Sequence, residues 1–369
     1  MPFRLPKAKK GHAAGAAGHR RIYGLDLFRT TAIVLVIVSH FARPLQILGV
    51  LGVELFFVLS GYLIGGLFLR QVLATPHFGW AHLYDFLQRR WIRTLPNYYL
   101  FFLVHLALSS ILGSTTPAGM ALYAVFLQNL AWPVSSFYSV SWSLAIEEWF
   151  YLLFPAAVFG LLRWVSKPAA FLIVIALLVL VPLGIRLGRP ALSWEFGMRM
   201  VVACRVDALM FGVALAVLRH YLPAAWPRLR YLFLPGLVLA AVNLALLHRV
   251  PESQPAPYGA WVFSLLPLAC AAMLPWVESL TRPAKLVAAG VESISKWSYS
   301  IYLSHIPVLF VCYHVTDPFH LGFGGKLLVK AVALAAIVGL SKVVYERFEV
   351  PLMKLRDRKV LLPVAQNPT

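Results

Sequence analysis

Residues 25–67 read LDLFRTTAIVLVIVSHFARPLQILGVLGVELFFVLSGYLIGGL. Two apolar segments of membrane length are joined by a short turn, and Arg29, His40 and Glu54 sit inside otherwise oily surroundings. An ionisable side chain at the centre of a membrane helix costs roughly 2.5–3.5 kcal/mol on insertion scales, so it faces protein and by default marks a working position. Arg29 and His40 are eleven residues apart. At about 100° per residue that is three turns plus about 20°, so both lie on one helix face, about 16 Å apart along the axis. One face therefore carries a fixed cation at the inner end and a titratable imidazole nearer the outer end. Between them there is room for something long and anionic. A plainer reading pairs Arg29 with Asp26 and leaves His40 a hydrogen-bonded core histidine.

The chain has 369 residues, 60% of them hydrophobic and 13% charged, with a mean hydropathy of +0.76. Repeated apolar runs of roughly 20 residues at that level predict an all-α, polytopic integral membrane protein made of one membrane domain. The formal charge is +19. Its positive residues lie in short loops between spans, which is the positive-inside signal rather than a nucleic-acid footprint. Cys204, Cys270 and Cys312 each fall inside an apolar run without paired spacing, which argues against a disulfide framework or a zinc site. No Gly-rich phosphate loop, G-x-S-x-G elbow or H-E-x-x-H is present, and no metal is expected.

About ten spans are predicted, over 25–41, 47–69, 95–112, 142–162, 169–185, 201–218, 231–247, 260–277, 297–313 and 327–344. With both ends inside, nearly all arginine clusters fall on one side. Residues 118–130 are too short to cross and are expected as a re-entrant or surface helix between spans 3 and 4. Residues 70–93 return as a basic, aromatic-rich loop, expected to lie as an amphipathic segment at the inner interface. Residues 1–21 are expected to be a disordered basic cytoplasmic tail, 22–352 the membrane domain, and 353–369 a second cytoplasmic tail.

Several constellations carry candidate chemistry. Glu54 begins span 2 at a depth similar to His40, where a carboxylate raises the basicity of an imidazole, as a general base requires; the alternative is a loop-edge glutamate facing water. Gly61 in SGY suits close helix packing. Arg90 and Arg93 are three apart and share a helix face, suited to clamping a phosphate, unless they are plain inside-loop charge. Glu147 and Glu148 follow Ser141, Trp142 and Ser143, which are candidate cavity lining. Adjacent carboxylates point about 100° apart, so one faces the cavity and the other is free to pair with an arginine such as Arg199 or Arg205. Tyr302 and His305 share a face of span 9, and Glu346 and Glu349 lie at the inner end of span 10.

Together, GLDLFRTTAIVLVIVSHF, GVELFFVLSGYLI, FLQRRWIRTLPNYY, VSWSLAIEEWFYLLFP, CRVDALMFG, SYSIYLSHIPV and YERFEVP resemble the acyltransferase-3 family of bacterial membrane O-acyltransferases, in consistent order over most of the chain. The resemblance implies a ten-span inner-membrane enzyme that moves an acyl group, commonly acetyl, from cytoplasmic acyl-CoA to a hydroxyl of a glycan or other acceptor. No resident cofactor is implied; acyl-CoA is a co-substrate. The family's R-x10-H falls on Arg29 and His40, and its R-x-x-R on Arg90 and Arg93. Glu54 stands where the family often has aspartate. The chain ends soon after span 10, which is expected for a stand-alone form without a fused esterase-like domain. On this reading His40 is the catalytic base, oriented by Glu54, Glu147 or Glu148, while Arg29, Arg90 and Arg93 hold the donor phosphates. A transporter or flippase of a lipid-linked sugar would also use intramembrane His, Glu and Arg, without consuming a thioester. A non-catalytic scaffold would need none of these charges.

Overall fold

The computed structural model describes residues 21–111, 119–133 and 137–360, with side chains up to 355. The expected tail over 1–20 lies outside the described residues, as does the chain beyond 360. Among the described residues every regular element is helical. Ten helices have fifteen residues or more: α1 Tyr23–Phe41, α2 Ile47–Ala74, α3 Trp80–Ile111, α4 Ser141–Leu161, α5 Lys167–Leu187, α6 Asp207–Tyr221, α7 Phe233–His248, α8 Gly259–Glu278, α9 Lys285–Thr316 and α10 Phe323–Val344. Eight of them, all but α6 and α9, belong to helical stretches long and apolar enough to cross a membrane. The protein is an all-helical polytopic membrane protein. α6 is short, and a separate turn, Val202–Arg205, precedes it. The apolar half of α9 carries Ser298, Tyr299, Ser300, Tyr302, Ser304 and His305, which dilute its hydropathy.

Burial separates centre from rim. In their most apolar stretches, 67% of α2 and 72% of α8 are buried, against 22% of α5 and 17% of α10. α2 is therefore enclosed by other helices, while α5 and α10 leave broad apolar faces to lipid. Backbones touch where α2 meets α6: a Cβ on Gly61 would lie 1.9 Å from the Leu209 carbonyl oxygen, and one on Gly212 2.1 Å from that of Val58. Without a strong hydrophobic drive between helices in lipid, such close approach is the main source of packing.

Three expectations change. Residues 80–93 are not a separate interfacial loop segment; they continue through Pro96 as the first part of α3, whose 32 residues make about 48 Å, more than a bilayer core requires. Residues 121–124 form a single helical turn, after which the chain is irregular. It folds into the bundle, where the Asn129 amide donates to the carbonyls of Trp142 (3.0 Å) and Met200 (2.7 Å). Non-helical backbone at that depth needs such protein partners. The loop expected outside at 186–198 is also built in: Trp194–Arg199 form a buried π-helical turn, and Arg186 is fully buried.

Gly61→Ala is expected to lower the midpoint of thermal unfolding in detergent, by overpacking worth about 1–3 kcal/mol. Gly160→Ala, on α4 with nothing within 4 Å of the added methyl, should leave it unchanged or slightly raised. A Gly61→Ala protein as stable as wild type would show that the α2–α6 contact has room to spare.

Candidate active site

Two cavities open between the helices. The larger, about 1100 Å³, lies towards the N-terminal end of α1. Seven Lys and Arg side chains line it against four carboxylates. Two of those carboxylates are already paired. Asp26 takes the guanidinium of Arg21 (2.6 and 3.0 Å) and the hydroxyl of Ser295 (2.6 Å), and Glu278 takes Arg219. The plainer reading of Arg29 therefore does not hold, because its expected partner is occupied. Arg29 and Arg93 line this basic cavity and form no hydrogen bond or ion pair with any described residue. Arg90 lines it too, while Arg89 turns aside to Asp85 at 2.8 Å. The three-residue spacing of Arg90 and Arg93 does place both on one cavity wall.

The smaller cavity, about 440 Å³, lies at the C-terminal end of α1. His40 is exposed to it from the last turn of that helix, whose Phe41 carbonyl accepts from Lys330 at 2.7 Å. α9 runs beside α1 and brings His305 to the same wall, with ring centroids 4.9 Å apart. Trp142 lines this cavity too, with the Arg199 guanidinium 4.5 Å from its ring centroid; Arg199 also pairs with Glu195.

The cavities share two residues, Val53 and Tyr302. Tyr302 shares a 2.6 Å hydrogen bond with Ser143, which lines the basic cavity, and also donates to the Val140 carbonyl at 3.3 Å. A cationic cavity at one end of α1 and a histidine cavity at the other thus meet at one hydrogen-bonded tyrosine.

Comparison with known proteins places this arrangement. The acyltransferase-domain model matches residues 22–345. The chain belongs to the acyltransferase-3 family. It is 27% identical over 327 residues to the O-acetyltransferase OatA of Staphylococcus aureus, covering 79% of this chain and 51% of that protein. It is 28% identical over 341 residues to the peptidoglycan O-acetyltransferase OatA of Listeria monocytogenes, covering 77% and 49%. The chain spans about half the length of the curated relatives it matches. No solved structure matches it.

Within this acyltransferase-3 domain, some expected residues fall elsewhere. Glu54 is fully buried and lines neither cavity; both its oxygens accept from Nη2 of Arg205, at 2.6 and 2.7 Å. It is not hydrogen-bonded to His40. Of the adjacent glutamates, Glu147 faces the basic cavity and accepts from Ser60 (3.1 Å) and Tyr151 (2.9 Å). Glu148 points away and accepts from Thr94 at 2.6 Å rather than from an arginine, since Arg199 and Arg205 have their own acids. Ser141 is buried, donating to the Tyr138 carbonyl, and lines neither cavity. Glu346 is exposed; Glu349 lines the basic cavity instead, accepting from Asn97 and Ser300. Both lie in the π-helical turn Tyr345–Glu349, of which Tyr345 and Glu349 line the cavity and Glu346 does not.

The buried pair Arg186–Asp207 (2.8 Å) was missed, because Arg186 reads as the first residue of a loop. The available signal was an equal number of arginines and acids, Arg186, Arg199 and Arg205 with Glu54, Glu195 and Asp207, next to apolar runs where unpaired charge is costly.

Glu54→Gln is expected to strand a buried guanidinium and lower stability by about 3–5 kcal/mol, read as lost monodisperse protein or a lower unfolding midpoint in detergent. Replacing Arg205 with Met in the same protein should recover much of that loss. A Glu54→Gln protein of normal stability and low turnover would instead return Glu54 to the catalytic group.

Proposed function

We propose that the protein is a membrane O-acyltransferase that takes an acyl group, with acetyl the expected one, from acyl-CoA to a hydroxyl of a cell-surface glycan. The observation that carries this reading is the pair of cavities meeting at Tyr302: one holds Arg29 and Arg93 without a paired acid among the described residues, the other an accessible histidine. The basic cavity faces the cytoplasm of a bacterial inner membrane, in keeping with the positive-inside bias, and both chain ends lie on that side. Arg29, Arg90 and Arg93 hold donor phosphates through charge-assisted hydrogen bonds. The separation of about 16 Å along α1 is comparable to an extended pantetheine arm, so a thioester tethered at the arginines reaches the level of Tyr302 and His40.

There His40 takes the proton of the acceptor hydroxyl as its oxygen attacks the thioester carbonyl. The ester C–O bond forms, the C–S bond breaks, and the imidazolium returns its proton to the leaving thiolate, giving CoA. The Ser143 and Tyr302 hydroxyls share one hydrogen bond at the junction, so one of the two can turn its proton from the Val140 carbonyl to the thioester carbonyl oxygen as that oxygen gains charge. Glu147 lies on the donor side and balances the arginines rather than touching His40. The names of the relatives make a peptidoglycan-type glycan the first acceptor to try.

The test uses purified protein in nanodiscs with labelled acetyl-CoA and membrane glycan. His40→Ala should lower CoA release and label transfer by roughly 10²–10⁴-fold, the usual size of a general-base contribution, while the protein stays folded. Arg93→Ala should raise the KM for acetyl-CoA about tenfold or more, with kcat little changed; one charge-assisted hydrogen bond is worth about 1.5–3 kcal/mol. Wild-type protein that moves a lipid-linked sugar without consuming any acyl-CoA would instead favour the transporter reading.

A further inference from the structure

The carboxylates considered for orienting His40 are engaged elsewhere: Glu54 with Arg205, Glu147 with Ser60 and Tyr151, Glu148 with Thr94. Two acids line the histidine cavity itself. Glu195 is paired with Arg199, and Glu252 accepts from Gln46 at 2.7 Å. The ring beside His40 is another imidazole. His305 is fully buried on α9 and lines the same cavity. Its Nδ1 lies 2.7 Å from the Tyr302 carbonyl. A carbonyl only accepts, so Nδ1 carries the proton and Nε2 of the neutral ring is left as an acceptor. That Nε2 is buried and has no partner among the described residues. A buried acceptor without a donor is costly, and two imidazoles joined by an N–H···N bond have centroids about 5 Å apart. The observed separation is 4.9 Å.

We propose that His305 is the positioning residue of His40: its Nε2 accepts from one ring N–H of His40, directly or through one water, leaving the opposite nitrogen of His40 facing the cavity as proton acceptor. The local pattern alone would not carry this. His105 also bonds its own helix through Nδ1 (2.7 Å, to the Phe101 carbonyl) and leaves Nε2 unpartnered, yet it lines neither cavity and packs on Tyr138. What distinguishes His305 is the second imidazole within reach. The pairing does for His40 what a carboxylate does in other general bases, selecting its tautomer, without placing a second negative charge in the membrane.

The role in turnover rests on the acyltransferase reading, so the first readout is independent of activity. In nanodiscs, nitrogen NMR of labelled histidines should show His40 as a single tautomer in wild type. His305→Asn keeps an N–H for the Tyr302 carbonyl but has nothing at the Nε2 position, and should give a tautomer mixture. His305→Gln, which can place an oxygen there, should restore the single form. Turnover should follow: kcat lower by 10- to 100-fold in His305→Asn with the KM for acyl-CoA unchanged, and partial recovery in His305→Gln. Should His305→Asn fail to fold, His40→Ala gives the reciprocal test, since Nε2 of His305 should move to the shift of an unbonded nitrogen.

A wild-type tautomer in His305→Asn, an unmoved Nε2 shift in His40→Ala, or an altered tautomer with unchanged kcat would each overturn the proposal. Wild-type protein that shows the tautomer pattern but transfers no acyl group would keep the histidine pair and reject the reaction.

Discussion

A charge inside a membrane bundle must find its opposite, and the architecture follows from how this chain meets that demand. Glu54 and Arg205 are both fully buried, and so are Arg186 and Asp207. Breaking such a pair leaves a naked ion in a medium that cannot solvate it, so the helices that carry the partners are held together. The first pair ties α2 to the turn Val202–Arg205, the second ties α5 to α6, and Ser264 on α8 joins the second pair through the Arg186 guanidinium at 2.6 Å. The same demand sorts the remaining charges. Asp26 is taken by Arg21, Glu278 by Arg219 and Glu195 by Arg199. The guanidiniums of Arg29 and Arg93 are left over, facing a cavity, and form no ion pair or hydrogen bond with a described acid. Pairing thus separates cations that build the protein from cations open to a ligand.

Much of this was legible in the sequence. Helical period put Arg29 with His40 and Arg90 with Arg93; the second pair lines one wall, and the first opens into the two cavities at either end of α1, because 3.6 residues per turn holds regardless of partners. The glycine at 61 was readable as a packing position for the same local reason. Partner choice was not legible. Glu54 and Arg205 are separated by 151 positions, and nothing near either one names the other. Helical spacing favoured Arg29 for Asp26, but Arg21 precedes the helix and reaches back to the same carboxylate, while Ser295 arrives from α9. Long-range competition decided the outcome.

Breaks in the helical period hid the rest. The π-helical turns at Trp194–Arg199 and Tyr345–Glu349 widen the spiral, so a projection at 3.6 residues per turn points their side chains the wrong way. In one of them Glu349 rather than Glu346 reaches the basic cavity, and in the other a segment that reads as a loop presents Glu195 and Arg199 beside Trp142. Both turns border a cavity. Each is a local concession in backbone geometry that re-aims a polar side chain, and no hydrophobic pattern announces it.

The meeting point at Tyr302 addresses a problem that any chemistry across a bilayer must solve. An open channel between the two cavities would pass ions and water, whereas here one aromatic side chain, hydrogen-bonded to Ser143 and to the Val140 carbonyl, stands in both walls. On the acyltransferase reading the charged part of the donor need never pass it. Its phosphates stay with the arginines, the acceptor stays on the histidine side, and an uncharged acyl group changes partners between them. Moving a neutral group of a few atoms avoids the cost of carrying a polyanion through a low-dielectric layer. The division of charge set by the ion pairs and the placement of the junction therefore serve one end, with Arg29 and Arg93 on one side of Tyr302 and His40 and His305 on the other.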